Sequence, residues 1–194
     1  MVQKSIDNTN RRSLLKKAAH KFNLMAIGLL SSCIPQTLYM RLMVAFLRSH
    51  GMNINGRPIY IAPNVWFDPT DYGLITIDEN VVISRNVSIL THDYSISRIR
   101  DFLTGKNNQP EVALIRNVKI GKNTFIGFGA ILMPGTEIGA NCIIGGGSVV
   151  RGIIPDGSLV TGNPGQVVGS SIKWGSRKLV ELNILSVNES PEKT

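Results

Sequence analysis

A histidine beside an aspartate, in the stretch ILTHDYS from Ile89 to Ser95, is the part of this chain most able to do chemistry. An accessible imidazole, with an ordinary pKa near 6.5, can take a proton from a hydroxyl near neutral pH and release it later. Such a base needs an orienting acceptor on its other ring nitrogen. Asp93, Glu111 and a backbone carbonyl are the candidates for that place. On residue type alone, a lone loop histidine is more often an incidental surface group than a base. Asp68, in WFDPTDYG, is equally suited to hold a substrate hydroxyl or to cap the turn before Pro69.

Metal chemistry is not indicated. The 194 residues hold three histidines, His20, His50 and His92, and two cysteines, Cys33 and Cys142, in no ligand spacing. Those cysteines outline no disulfide framework and fit a reducing cytoplasm. Nineteen glycines with only 6% aromatic residues point to many tight turns between short strands.

The elements that must position His92 are written in a six-residue period. Leu114, Ile120, Ile126, Leu132, Ile138, Ile144 and Val150 follow one another at that spacing. Two residues before each of the last five stands a small side chain: Thr124, Ala130, Thr136, Cys142 or Ser148. Strand side chains alternate faces, so each small residue shares the inward face with the aliphatic that follows it. Three positions after the aliphatics come only Asn or Gly, as at Asn117, Asn123, Gly129, Gly135, Asn141 and Gly147, the residues that best tolerate positive φ at a sharp corner. The same register occurs earlier at Ile61 and Phe67, then at Ile77, Ile83 and Ile89, with Asn64, Asn80 and Asn86 at corners. Strands this short with corners this regular predict a parallel β-helix, three hexads to a coil. Its handedness does not follow from the pattern. Asn55 stands where the first coil calls for an aliphatic. In this register His92 occupies a corner, and the pattern resumes at Leu114 after an excursion.

Ahead of the repeats, apolar spacing of three and four from Ser13 predicts a helix to about Ser32, and QTLYMRLMVAFLRSHG a second one stopped by Gly51. These helices either pack on the main domain or a sister subunit, or touch a membrane surface. Residues 1–21 hold six Lys and Arg against Asp7 in a chain of net charge +8. A basic end before an amphipathic stretch suits an anionic membrane surface or a solvated helix. The apolar run from Phe22 to Ile34 falls short of the ~20 residues that span a bilayer, and no small-residue cleavage site follows it. No basic stripe interleaved with aromatics argues for nucleic acid.

The stretches VKIGKNTFIGFGAILMPGTEIGANCIIGGGSVV (118–150), IPDGSLVTGNPGQVV (154–168) and ITIDENVVISRNVSILTHDYS (75–95) resemble the hexapeptide-repeat acyltransferases. Among these the chain is most similar to the bacterial sugar O-acetyltransferases of surface polysaccharide synthesis and to the maltose and galactoside acetyltransferases. The resemblance implies an all-β fold: a left-handed parallel β-helix of hexapeptide repeats with an N-terminal helical appendage, assembled as a homotrimer. The boundaries are 1–51 for the basic and amphipathic helical region, 52–170 for the β-helix with its excursion at 93–113, and 171–194 for a C-terminal tail.

The same resemblance implies acetyl-CoA as acyl donor, no metal, and a sugar or polysaccharide hydroxyl as acceptor, in the cytoplasm or at the inner face of the membrane. It makes His92 the general base; Asp93 is the first candidate for its partner and Asp68 for an acceptor contact, both from the residues themselves rather than the resemblance. Coenzyme A is expected in a groove between adjacent prisms, at Phe128, Gly146 and Arg151, with Ser148 nearby and Gln166 after GNPG. Relatives often carry Lys or Arg at the place of Gln166, and Lys173, Arg177 and Lys178 are the cations that could compensate. Phe125 stands where many carry Trp. Rival readings are a zinc enzyme of the γ-carbonic-anhydrase type, which needs three histidines on the coils, a xenobiotic or serine-type acetyltransferase, and a trimeric scaffold without activity.

Overall fold

The computed structural model describes residues 26–106 and 109–185. Most strands are two or three residues long and are stacked in three parallel sheets, one per side of a prism. The first side runs through Asn53–Ile54, Ile75–Ile77, Val118–Ile120, Glu137–Ile138 and Ile153–Ile154. Tyr60–Ile61, Val82–Ile83, Phe125–Ile126, Ile143–Ile144 and Ser158–Thr161 form the second. Trp66–Phe67, Ser88–Ile89, Ile131–Leu132 and Val149–Val150 form the third. Ile120 faces Ile138, Ile126 faces Ile144 and Leu132 faces Val150, a step of eighteen residues, or three hexads per coil.

Like residues therefore stack on like. The aliphatics of the period and the small residues two before them are buried together, including Thr124, Ala130, Thr136, Cys142 and Ser148. Each buried Ile, Leu or Val contributes about 1.5–3 kcal/mol of apolar transfer. Asn80, Asn86, Asn123, Asn141, Gly129, Gly135 and Gly147 turn the corners with φ between 55° and 85°. Three expectations are corrected. Asn64 and Asn117 are not in this left-handed conformation. Ile54, not residue 55, fills the first inward layer, and Asn55 is exposed with its amide donating to Asp78. Leu114 is exposed as well, because Leu114–Ile115 pairs antiparallel with His92–Asp93 to close the excursion. The inward register resumes at Val118.

A stack of coils leaves an apolar layer open at its end, which a cap must cover. Helix α1 (Gln36–Ser49) does so with Tyr39, Met40, Met43, Phe46 and Leu47. Tyr39 donates its hydroxyl hydrogen to the Ile61 carbonyl at 2.7 Å, and burial raises its pKa. Gly51, the predicted stop, has φ +96° just beyond the helix. Residues 26–30 are helical; the earlier part of the predicted first helix lies outside the described residues. The excursion holds helix α2 (Ser95–Thr104), and the C-terminal tail holds helix α3 (Ser171–Glu181), which follows an antiparallel strand, Gln166–Ser170, on the last coil.

Candidate active site

Phe67 and Ile89 are paired neighbours on the third side, so the residues just beyond them emerge at one corner on adjacent coils. Asp68 leaves the first coil there, and its N–H donates to the Ile89 carbonyl at 3.0 Å. Its side chain is fully buried. One carboxylate oxygen accepts from the Thr70 N–H at 3.0 Å, closing the turn through Pro69. The other accepts from the Thr91 N–H at 2.9 Å, the Thr91 hydroxyl at 2.7 Å, and His92 Nδ1.

Burial alone raises a carboxyl pKa, but the bonds from Thr91 and Thr70 outweigh it and hold Asp68 at about 2. Asp68 is therefore an anion at neutral pH and can only accept hydrogen bonds. It follows that Nδ1 of a neutral His92 carries the hydrogen and Nε2 the lone pair. Nothing among the described residues hydrogen-bonds Nε2, while the Thr70 hydroxyl lies 3.1 Å from Nδ1. Tyr94 meets the imidazole edge to face, with ring centres 5.1 Å apart. The His92 side chain keeps 25% of its surface exposed. A basic nitrogen, oriented from behind by a buried anion and open in front, is the arrangement of a general base.

The orienting partner is thus Asp68, and not Asp93 or Glu111. Asp93 is half-buried and turns to the start of α2, where its carboxylate accepts from the Ser95 N–H at 2.8 Å. Bonds from Ser95, and then the positive charge of Arg151, hold its pKa below the usual carboxylate range. Glu111 pairs with Arg98 inside the excursion. With four donors on its two oxygens, Asp68 has little capacity left for a substrate hydroxyl. Burial and the charge of Asp68 together push the neighbouring Tyr72 up to about 12. Thr70, Thr91 and Tyr94 escaped the sequence reading, as did Arg116, whose N–H donates to the Thr91 carbonyl at 2.9 Å and whose side chain lies against Gly135, on the next coil.

The remaining predicted residues are distributed around the third side. Phe128 and Gly146 share its opposite corner: the Phe128 carbonyl accepts from the Gly147 N–H at 2.8 Å, and a Cβ on Gly146 would stand 3.1 Å from that oxygen. The GNPG turn, with a cis Asn163–Pro164 bond, clasps the last strand of this side, Gly165 N–H donating to Val149 and Val149 N–H to Gly162. Gln166 begins the strand beyond and is exposed, and exposed Arg151 follows Val150 at the His92 end. Ser148 is the correction: its side chain points into the prism, its hydroxyl unpartnered, and cannot reach a surface ligand. Phe125 is exposed on the second side. Among the described residues no group of three His, Cys, Asp or Glu could hold a metal ion.

The bacterial transferase hexapeptide family, a model of six repeats, matches residues 117–152. The chain is 29% identical over 96 residues to the putative lipopolysaccharide biosynthesis O-acetyl transferase WbbJ of Escherichia coli K12, covering 48% of this chain and 49% of that protein. It spans about half the length of the first curated relatives it matches. The crystal structure of a maltose O-acetyltransferase from Clostridium difficile 630 superposes with TM-score 0.51 at 26% identity, over 79% of this chain and 87% of that one. A galactoside acetyltransferase in complex with coenzyme A shares the fold, with TM-score 0.51 at 17% identity over 79% and 82% of the two chains. By its repeats, its three-sided coil and these likenesses, the chain is similar to the hexapeptide-repeat acyltransferases, and its fold is their left-handed parallel β-helix.

Proposed function

We propose that this protein is an acetyl-CoA-dependent O-acetyltransferase that acetylates a sugar hydroxyl in surface polysaccharide synthesis. The observation that carries the reading is the buried Asp68 holding His92 with Nε2 turned outward. In the reaction, Nε2 takes the hydroxyl proton as the sugar oxygen attacks the thioester carbonyl. The Asp68 charge stabilises the resulting imidazolium. Collapse breaks the carbon–sulfur bond, and His92 returns its proton to the departing thiolate. Neither a metal nor an acyl-enzyme is required.

Coenzyme A would lie along the third side from Phe128 and Gly146 toward Arg151, whose guanidinium suits a phosphate. A second prism would wall this groove, in a homotrimer. The similarity to WbbJ and to the maltose enzyme supports a sugar acceptor. Calorimetric titration with acetyl-CoA should give saturable binding near one per chain, after which candidate sugars are screened for turnover. His92→Ala should lower turnover by at least about 10³-fold while acetyl-CoA binding stays within twofold of wild type. No binding of acetyl-CoA to the folded protein, or full activity of the His92→Ala variant, would overturn the reading.

A further inference from the structure

We infer that the α1 end of the prism docks on an anionic lipid bilayer. Residues 8–67 contain eight Lys and Arg and no Asp or Glu, while the rest of the chain holds thirteen basic and thirteen acidic residues. The whole net charge of +8 therefore resides in less than a third of the sequence. The described part of that segment gathers at one end of the molecule, where α1 covers the first coil. One face of α1 is committed to this cap. The other exposes Leu38, Arg41, Leu42 and Ala45, and the helical residues before it add Leu29 and Leu30, with Leu29 70% exposed.

Exposed leucines around Arg41, on a helix face contributed by a segment without Asp or Glu, match the boundary between lipid headgroups and acyl chains, where the apolar side chains insert and the cations meet phosphates. A nucleic acid would reward the cations but not the leucines. Among the described residues no helix is long and apolar enough to cross a membrane, so the contact is with its surface. The corner bearing His92 lies on the second coil from this end, about 10 Å of strand spacing from the cap. On the reading proposed above, docking would hold that corner near an acceptor carried on a lipid.

The test is co-sedimentation of the full chain with phosphatidylcholine vesicles, with and without phosphatidylglycerol. Binding is expected only with phosphatidylglycerol, and should fall as salt rises. Each cation near an anionic surface contributes about fivefold in affinity. Arg41→Glu should therefore weaken binding at least about tenfold, and Leu38→Asp with Leu42→Asp by a similar factor. These positions are exposed, so the melting temperature and gel-filtration volume should remain those of wild type. Equal binding to both vesicle types, none to either, or undiminished binding by the variants would overturn the inference. So would a change of assembled mass in the variants, which would make this face a contact between copies. Acetyl-CoA titration is unaffected by any of these outcomes, so failure of docking is distinguishable from failure of the acetyltransferase reading.

Discussion

The catalytic proposal at the residue scale turns on one charge. Asp68→Asn keeps the shape of the side chain but replaces an acceptor-only anion with an amide that can donate. The tautomer of His92 is then no longer imposed, and an imidazolium loses its counter-ion. Turnover should fall about 10²–10⁴-fold, with acetyl-CoA binding retained. The same carboxylate contributes to stability. Its folded pKa, about 2, lies below the ordinary 3.8, so its contribution is complete above pH 3.8 and is lost as pH falls through about 2. The shift corresponds to about 2 kcal/mol. Acid unfolding of wild type should show this loss between about pH 4 and 2, and the Asp68→Asn variant should lack that component; identical acid profiles would refute the assignment of Asp68 as a buried anion.

Among the elements, the coil spacing leaves no room for certain side chains. A Cβ on Gly127 would stand 2.6 Å from the Gly146 nitrogen and 2.7 Å from the Ile144 carbonyl oxygen, both backbone atoms of the next coil. Neither can move without breaking the ladder on that side. Gly127→Ala should cost more than about 2 kcal/mol, read as a lower midpoint of denaturant unfolding. Gly129 is a contrast: nothing lies within 4 Å of its Cβ position, but φ is +66°. Gly129→Ala should suffer only the left-handed strain of about 1–2 kcal/mol. If the two variants unfold alike, close approach between coils is not what excludes side chains at residue 127.

For the whole molecule, one side of the prism joins the proposed functions. The third side has His92 at one edge, Phe128 and Gly146 at the other, and Trp66, Ile131 and Val149 facing outward between them. A lone prism offers a wall and no groove, which is why the proposed homotrimer matters for binding. Helix α2 leaves Phe102 83% exposed and Ile99 and Leu103 exposed beside it, a cost to an isolated chain unless another chain covers them. Light scattering should give the mass of three chains. Phe102→Asp should raise the dissociation constant of the assembly at least about tenfold. A monomeric wild type, or an assembly indifferent to this change, would remove the trimer from the proposal.

Sequence by itself determined the coil, because period and fold share one cause: a two-residue strand with an inward aliphatic, a small neighbour and an Asn or Gly corner repeats wherever the six residues repeat. It also singled out His92, as a corner residue where the pattern breaks. Leu114 shows the limit of that reasoning, since a residue in phase with the repeat belongs to the excursion once its backbone pairs with His92 and Asp93 instead of a coil. The partner of His92 was legible only in part. Asp93 is adjacent in the chain, yet successive strand side chains diverge, and its carboxylate turns to the start of α2. Asp68 is 24 residues away, and only the pairing of Phe67 with Ile89 carries it to the imidazole. Stacking that brings distant residues together at one corner is a property of the folded coil, and the tertiary structure alone decided which carboxylate stands behind the imidazole.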